Sequence, residues 1–212
     1  MGYSLPILVG CIAVTFLSCG ENLRQTQEAA KALSTMAEHA PKMEALQKQI
    51  EQRQAERRAK GDTTAMHYEK LLEYIPSSVN GFSSVGEPEG STSTMGDFSL
   101  STAKRTYQGS DGAELTIELV DYNANAAALA LAGMGVFLNL SVDNPEERSR
   151  TFDPQLPTSG AWESLKKRSH IAEVTYVLGG RFLLHITATK QESTDRVKAI
   201  AQQLNLRALA SM

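Results

Sequence analysis

The chain has 212 residues and two thiols, Cys11 and Cys19. No cysteine follows Gly20, so the rest of the chain has no disulfide, thiol nucleophile or thiolate metal site. The four histidines, His39, His67, His170 and His185, share no short metal-binding spacing such as H-x3-H. The sequence contains no G-x-S-x-G elbow and no glycine-rich phosphate loop. His185 sits between Leu184 and Ile186 in a strand-like run. There, a ring satisfied by local hydrogen bonds is the plain reading, and a general base is the sharper one. Trp162, Tyr176 and Arg181 are of types that line ligand pockets, although Arg181 equally suits the mouth of a hairpin. Asp121, Asp143, Glu146, Glu147 and Asp153 fall in separate elements or in a loop and read as solvated surface. This inventory leads to no catalytic set, no cofactor and no metal. The residue whose chemistry stands out is Cys19.

Residues 4–18, SLPILVGCIAVTFLS, run 15 positions without a charge. A bilayer-spanning helix needs about 20 apolar residues, so the run is short for a permanent span and suits the apolar region of a signal peptide. It ends Phe16-Leu17-Ser18-Cys19-Gly20. An apolar residue three before the cysteine and a small residue just before it resemble the lipobox of bacterial lipoprotein precursors. The resemblance implies that the Cys19 thiol receives a diacylglycerol thioether. It also implies cleavage between Ser18 and Cys19 and acylation of the new amino group. Two or three acyl chains hold a protein firmly at a membrane, whereas one holds it marginally. The expected placement is therefore membrane-anchored and periplasm-facing. Gly20, in place of Asp, favours the outer membrane in a Gram-negative envelope. Two features depart from the usual leader: Met1-Gly2-Tyr3 has no basic residue, and Phe16 stands where Leu is usual. The alternatives are a buried N-terminal helix of a cytosolic protein or an uncleaved short anchor.

The formal net charge of −3 lacks the basic surplus of a nucleic-acid binder, so no nucleic-acid partner is expected. Residues 19–62 read as a lipid-tethered helical spacer, dense in Gln, Glu, Ala, Lys and Arg. Leu33, Met36, Ala40, Met43, Leu46 and Ile50 fall on one helical stripe, which Pro41 interrupts. A fold-back against the domain or a loose spacer competes with a short coiled coil that mediates assembly. Past Ile50, QRQAERRAK carries no apolar stripe and predicts a solvated arm ending at Gly61-Asp62. Residues 63–97 read as a short helix over 63–73 and a Ser/Gly-rich loop with one extended piece near Val79, Phe82 and Val85.

Residues 98–212 read as an α+β globular domain, an antiparallel sheet with helices packed on its faces and preceded by N-terminal helices. Leu115, Ile117 and Leu119 alternate with polar residues, as a half-buried strand does. Asn123 is the expected cap of a helix over 124–140, ANAAALALAGMGVFLNL, apolar nearly all round and so buried on more than one side. A central core helix is the plain reading of it; the other is a docking face for a partner or apolar ligand, including Met134 and Phe137. Residues 141–160 read as a connection, and AWESLKKR as a strand. IAEVTYVLGGRFLLHITAT predicts a mid-sheet hairpin on a two-residue Gly179-Gly180 turn, pairing Val177 with Phe182 and Tyr176 with Leu183. A helix capped near Ser193 or Thr194 buries Val197, Ile200, Ala201 and Leu204. The alternation, GGRFLL and the closing LNLRAL resemble uncharacterised bacterial envelope proteins. The element order over residues 70–212 is similar to the Mog1/PsbP-like α/β sandwich. That resemblance carries no catalytic residue over. The functional expectation is an envelope lipoprotein that binds a protein partner or ligand without catalysis, in contact with membrane lipid through Cys19. The alternative is an envelope hydrolase with a pocket at loop 141–160 that joins His185 or His170 to an acid and a nucleophile.

Overall fold

The computed structural model describes residues 41, 44–45, 48–96, 98–123, 125–137, 141–157 and 159–212, with only the backbone of Ala126, Met134 and Phe137. The expected signal peptide, Cys19 and the stripe residues Leu33, Met36, Ala40, Met43 and Leu46 lie outside the described residues. Helix α1 covers residues 48–59 and α2 Tyr68–Leu72. Strands β1 (Ser78–Val79), β2 (Phe82–Ser84), β3 (Glu89–Met95), β4 (Phe98–Gly109) and β5 (Glu114–Asp121) follow. Helices α3 (Ala126–Ala132) and α4 (Met134–Phe137) then lead to β6 (Ser141–Asp143) and β7 (Glu147–Phe152). The chain closes with β8 (Gly160–Lys166), β9 (Ile171–Leu178), β10 (Phe182–Ala188), α5 (Asp195–Ala201) and α6 (Leu206–Ala210).

The strands form one sheet in the order β1-β2-β4-β5-β10-β9-β8-β7-β6, and β3 pairs with the first half of β4. Every neighbouring pair is antiparallel. Helices α3 and α4 carry the chain from β5 to the far edge, and the meander β6 to β10 returns to pair with β5. The class is the α+β class expected, with the hairpin β9–β10 in mid-sheet.

Period-two alternation explains the main core. Leu115, Ile117 and Leu119 of β5 share a face with Phe182, Leu184 and Ile186 of β10 and with Val174 and Leu178 of β9. Helices α2, α5 and α6 cover that face with Leu71, Val197, Ile200, Leu206 and Leu209. Each fully buried Leu, Ile or Phe contributes about 1.5–3 kcal/mol. The opposite face carries a smaller cluster in which Ile50 of α1 and Leu129 and Val136 of α3 and α4 meet Val177.

Several local expectations are corrected. Residues 77–96 hold three strands where a loop with one extended piece near Val79, Phe82 and Val85 is expected; β1 and β2 fall at that piece and β3 lies beyond it. In β3, EGSTSTM, every residue is exposed, so no apolar alternation marks it. The ladder to β4 and cross-strand hydroxyl pairs such as Ser91–Thr102 at 3.0 Å hold it instead. The connection 141–160 likewise contains β6 and β7. The apolar run 124–140 is interrupted at Gly133, and Leu131 is 72% exposed, so α3 is buried on one side only. Its cap is Asn125, whose side chain accepts from Ala128 N–H at 2.8 Å; Asn123 is engaged elsewhere. Thr194 stands at the N-cap of α5 but donates its hydroxyl to Glu163.

The hairpin register is shifted by one residue. Leu178 pairs with Phe182 and Val177 with Leu183, so the loop is the three residues Gly179, Gly180 and Arg181. A one-residue slip exchanges the two faces of a strand, which is how Phe182 reaches the main core and Arg181 the sheet end. Gly179 has φ +61°, and a Cβ there would stand 3.0 Å from the Ala210 carbonyl oxygen. Gly179→Ala is expected to destabilise by about 1–2 kcal/mol or more from left-handed strain alone. A lower urea midpoint at unchanged slope would show it.

Candidate ligand-binding cleft

Strand β7 ends at Phe152 and delivers Asp153-Pro154-Gln155 to the surface. The Asp153 carboxylate accepts the Gln155 N–H at 2.8 Å, closing a local turn, and Gln155 takes φ +55°. On the other side, α5 ends in tight turns that bring Leu204 and then Leu206 inward, and the Asn205 side chain accepts from Ala208 N–H at 3.4 Å to open α6. Between this loop and these helices lies a cavity of about 640 Å³, within the usual range of small-molecule sites.

Phe152, Leu156, Leu204 and Leu206 give the cleft apolar walls, and Tyr176 of β9 also lines it. Tyr176 is 4% exposed, and its ring meets Phe152 edge-on at 5.7 Å. Its hydroxyl has no hydrogen-bond partner among the described residues, yet it is not sealed from solvent, so it opens on the cleft. Burial, assisted by the charge of Glu163, pushes the phenol up to about 12. It therefore stays a neutral donor and acceptor at ordinary pH.

Behind the cleft, the buried Glu163 carboxylate accepts from Arg150 Nε at 2.6 Å, Thr194 Oγ1 at 2.7 Å and Lys198 Nζ at 2.8 Å. Burial alone would raise its pKa, but the hydrogen bonds from Lys198, Thr194 and Arg150 prevail and hold it below the ordinary 4.5. A carboxylate with a depressed native pKa stabilises the fold above its unfolded value and loses that contribution as pH falls through the native one. Wild type is thus expected to lose stability below about pH 4.5, and Glu163→Gln to show a flatter acid limb. Urea midpoints measured from pH 6 to pH 3 test this.

The other expected site residues are dispersed. Trp162 lies on the opposite face beneath α4 at Gly135, and its Nε1 is buried without a hydrogen bond. Met134 and Phe137 fall on α4. The His185 ring lies between Thr175 Oγ1 and Thr187 Oγ1, both at 2.9 Å, away from the cleft. Among the described residues no carboxylate orients it. His170 sits at the surface 3.0 Å from Glu192, and His67 lies 3.5 Å from Glu69. Trp162, Tyr176 and Arg181 therefore do not share a pocket, and only Tyr176 reaches the cleft. No group of His, Cys, Asp and Glu among the described residues could hold a metal ion.

Arg181 has a different task. Its Nε and Nη2 donate to the fully buried Asp121 at 2.7–3.1 Å, and its Nη1 donates to Asp62 at 2.6 Å. Asp121 also accepts the N–H of Met66 at 2.7 Å and of Asn123 at 2.8 Å. The Asn123 side chain accepts from Arg57 Nε at 2.8 Å and donates to Asp62 Oδ1 and the Thr64 carbonyl, both at 2.9 Å. This network fastens α1 and the segment after it to the sheet end. It corrects the expectation of a solvated arm past Ile50, because Arg57 is 6% exposed.

Sequence reasoning missed the helical wall of the cleft, Asn205 and Arg207 in particular, because LNLRAL reads only as an apolar stripe. Compared with known proteins, the chain matches no family model, no curated sequence and no solved structure.

Proposed function

We propose that the protein is a lipid-tethered, non-catalytic binding module of a bacterial envelope, which takes its ligand in the cleft beside Tyr176. The observation that carries the binding half is the Tyr176 hydroxyl, which opens on a cavity of about 640 Å³ and has no hydrogen-bond partner among the described residues. Because this hydroxyl reaches solvent at the cleft, a ligand hydrogen bond there replaces one to water and nets about 0.5–1.5 kcal/mol. The tether rests on the lipobox-like run Phe16 to Cys19, which implies a periplasm-facing domain, and Gly20 favours the outer membrane in a Gram-negative envelope. No helix among the described residues is long and apolar enough to cross a membrane, and a lipid anchor needs none. The non-catalytic reading is favoured because Lys198, the amine on the cleft wall, is held by Glu163 and Asp195, and the buried Glu163 carboxylate behind it is held by Arg150, Thr194 and Lys198.

The test is a fragment titration of the isotope-labelled full chain, followed by amide shifts. Hits are expected to move residues 152–157 and 202–207, and Tyr176→Phe to weaken them about fivefold to tenfold. Hits that cluster elsewhere and ignore Tyr176→Phe would contradict the assignment.

A further inference from the structure

Four charged side chains line the cleft: Asp153, Asp195, Lys198 and Arg207. Lys198 is committed to Glu163 at 2.8 Å and to Asp195 at 3.2 Å. Asp153 accepts only the Gln155 N–H, and neither Asp153 nor Arg207 has an ion-pair partner among the described residues. Asp153 stands on the loop after β7 and Arg207 on α6. Phe152, Leu156, Leu204 and Leu206 supply the apolar surface of the cleft, and the Tyr176 hydroxyl and the Gln202 amide add donors and acceptors.

We propose that the cleft binds a short peptide with both termini free, its ammonium toward Asp153, its carboxylate toward Arg207 and an apolar side chain between. This rests on the cleft being the ligand site. The loop and α6 each supply one charge without an ion pair among the described residues, and a peptide is a ligand that answers both while its amide groups answer the phenol. A simple anion would meet Asp153 with like charge. A lipid tail would desolvate both charges without pairing either. A neutral sugar would satisfy the hydroxyl but leave both charges unanswered.

The experiment titrates the full chain with Ala-Leu-Ala in four forms: free, N-acetylated, C-amidated and doubly blocked, with maltotriose alongside. Calorimetry and amide shifts are the readouts. Exposed ion pairs are weak, so each blocked terminus is expected to cost about threefold to fivefold in affinity at low salt. The preference should shrink at higher ionic strength. Arg207→Gln should erase discrimination against the C-amide, and Asp153→Asn should erase discrimination against the N-acetyl form. Both variants keep the local fold, since Asn still accepts the Gln155 N–H and residue 207 is exposed. Equal binding of all four forms, or a preference that survives both substitutions, overturns the proposal. Maltotriose shifting the cleft amides more strongly than free peptide overturns it too, but leaves the cleft as the ligand site. If neither peptides, maltotriose nor fragments shift residues 152–157 or 202–207, both readings fall together.

Discussion

Arg181→Met is expected to lower folding stability by about 3–5 kcal/mol, the cost of leaving a buried charge without its counter-ion. The charge in question is Asp121, which has no solvent exposure. Three of its contacts come from Arg181 Nε and Nη2; the backbone N–H groups of Met66 and Asn123 would remain. The loss should also reach beyond the sheet. Asp62 would lose its 2.6 Å partner, and the contact that fixes the segment after α1 would weaken. Amide exchange at residues 57–66 is therefore expected to quicken more than exchange in β5 or β10. The double variant Arg181→Met, Asp121→Leu should recover part of the loss, because removing both charges also removes the desolvation penalty. Urea unfolding at constant slope measures both. A single-variant loss below about 1 kcal/mol would show that the network is solvated and that Arg181 is free for ligand.

The main sheet was legible because period-two alternation is a strong signal. Leu115-Ile117-Leu119 and the GG hairpin marked the centre of the fold correctly. The hairpin register was not legible, since Gly179-Gly180 suits a two-residue turn and only tertiary pairing decides that Arg181 joins the loop. Strand β3 was invisible for a related reason: its hydroxyl side chains pair across to β4 in solvent, and no apolar face betrays it. Polar anchoring is harder still. Arg57 and Asn123 lie 66 positions apart, and nothing in QRQAERRAK or DYNAN announces that they meet.

The same logic separates the parts of the cleft. Tyr176 stood out as a pocket residue by type, and the connection 141–160 as a possible wall. Trp162 and Arg181 resembled it by type but not by position, since strand parity and the shifted register send them elsewhere. Arg207 belongs to a five-residue helix whose apolar positions, Leu206 and Leu209, dominate any periodic reading.

The second large effect concerns attachment. Cys19→Ser removes the sulfur on which the proposed thioether would form, and with it the expected signal for cleavage after Ser18. Acyl chains contribute about 0.8 kcal/mol per buried CH2, so two or three of them leave almost no free protein. The variant should lose that anchor entirely and retain its uncut leader, whose 15 uncharged residues fall short of a stable span. Intact mass spectrometry of the membrane fraction from bacterial cells expressing the chain is the most direct measurement. The account predicts a wild-type species that begins at Cys19 and carries the added diacylglycerol and acyl mass, and a full-length, unmodified Cys19→Ser species. Wild type recovered at its full-length, unmodified mass from the soluble fraction would contradict it.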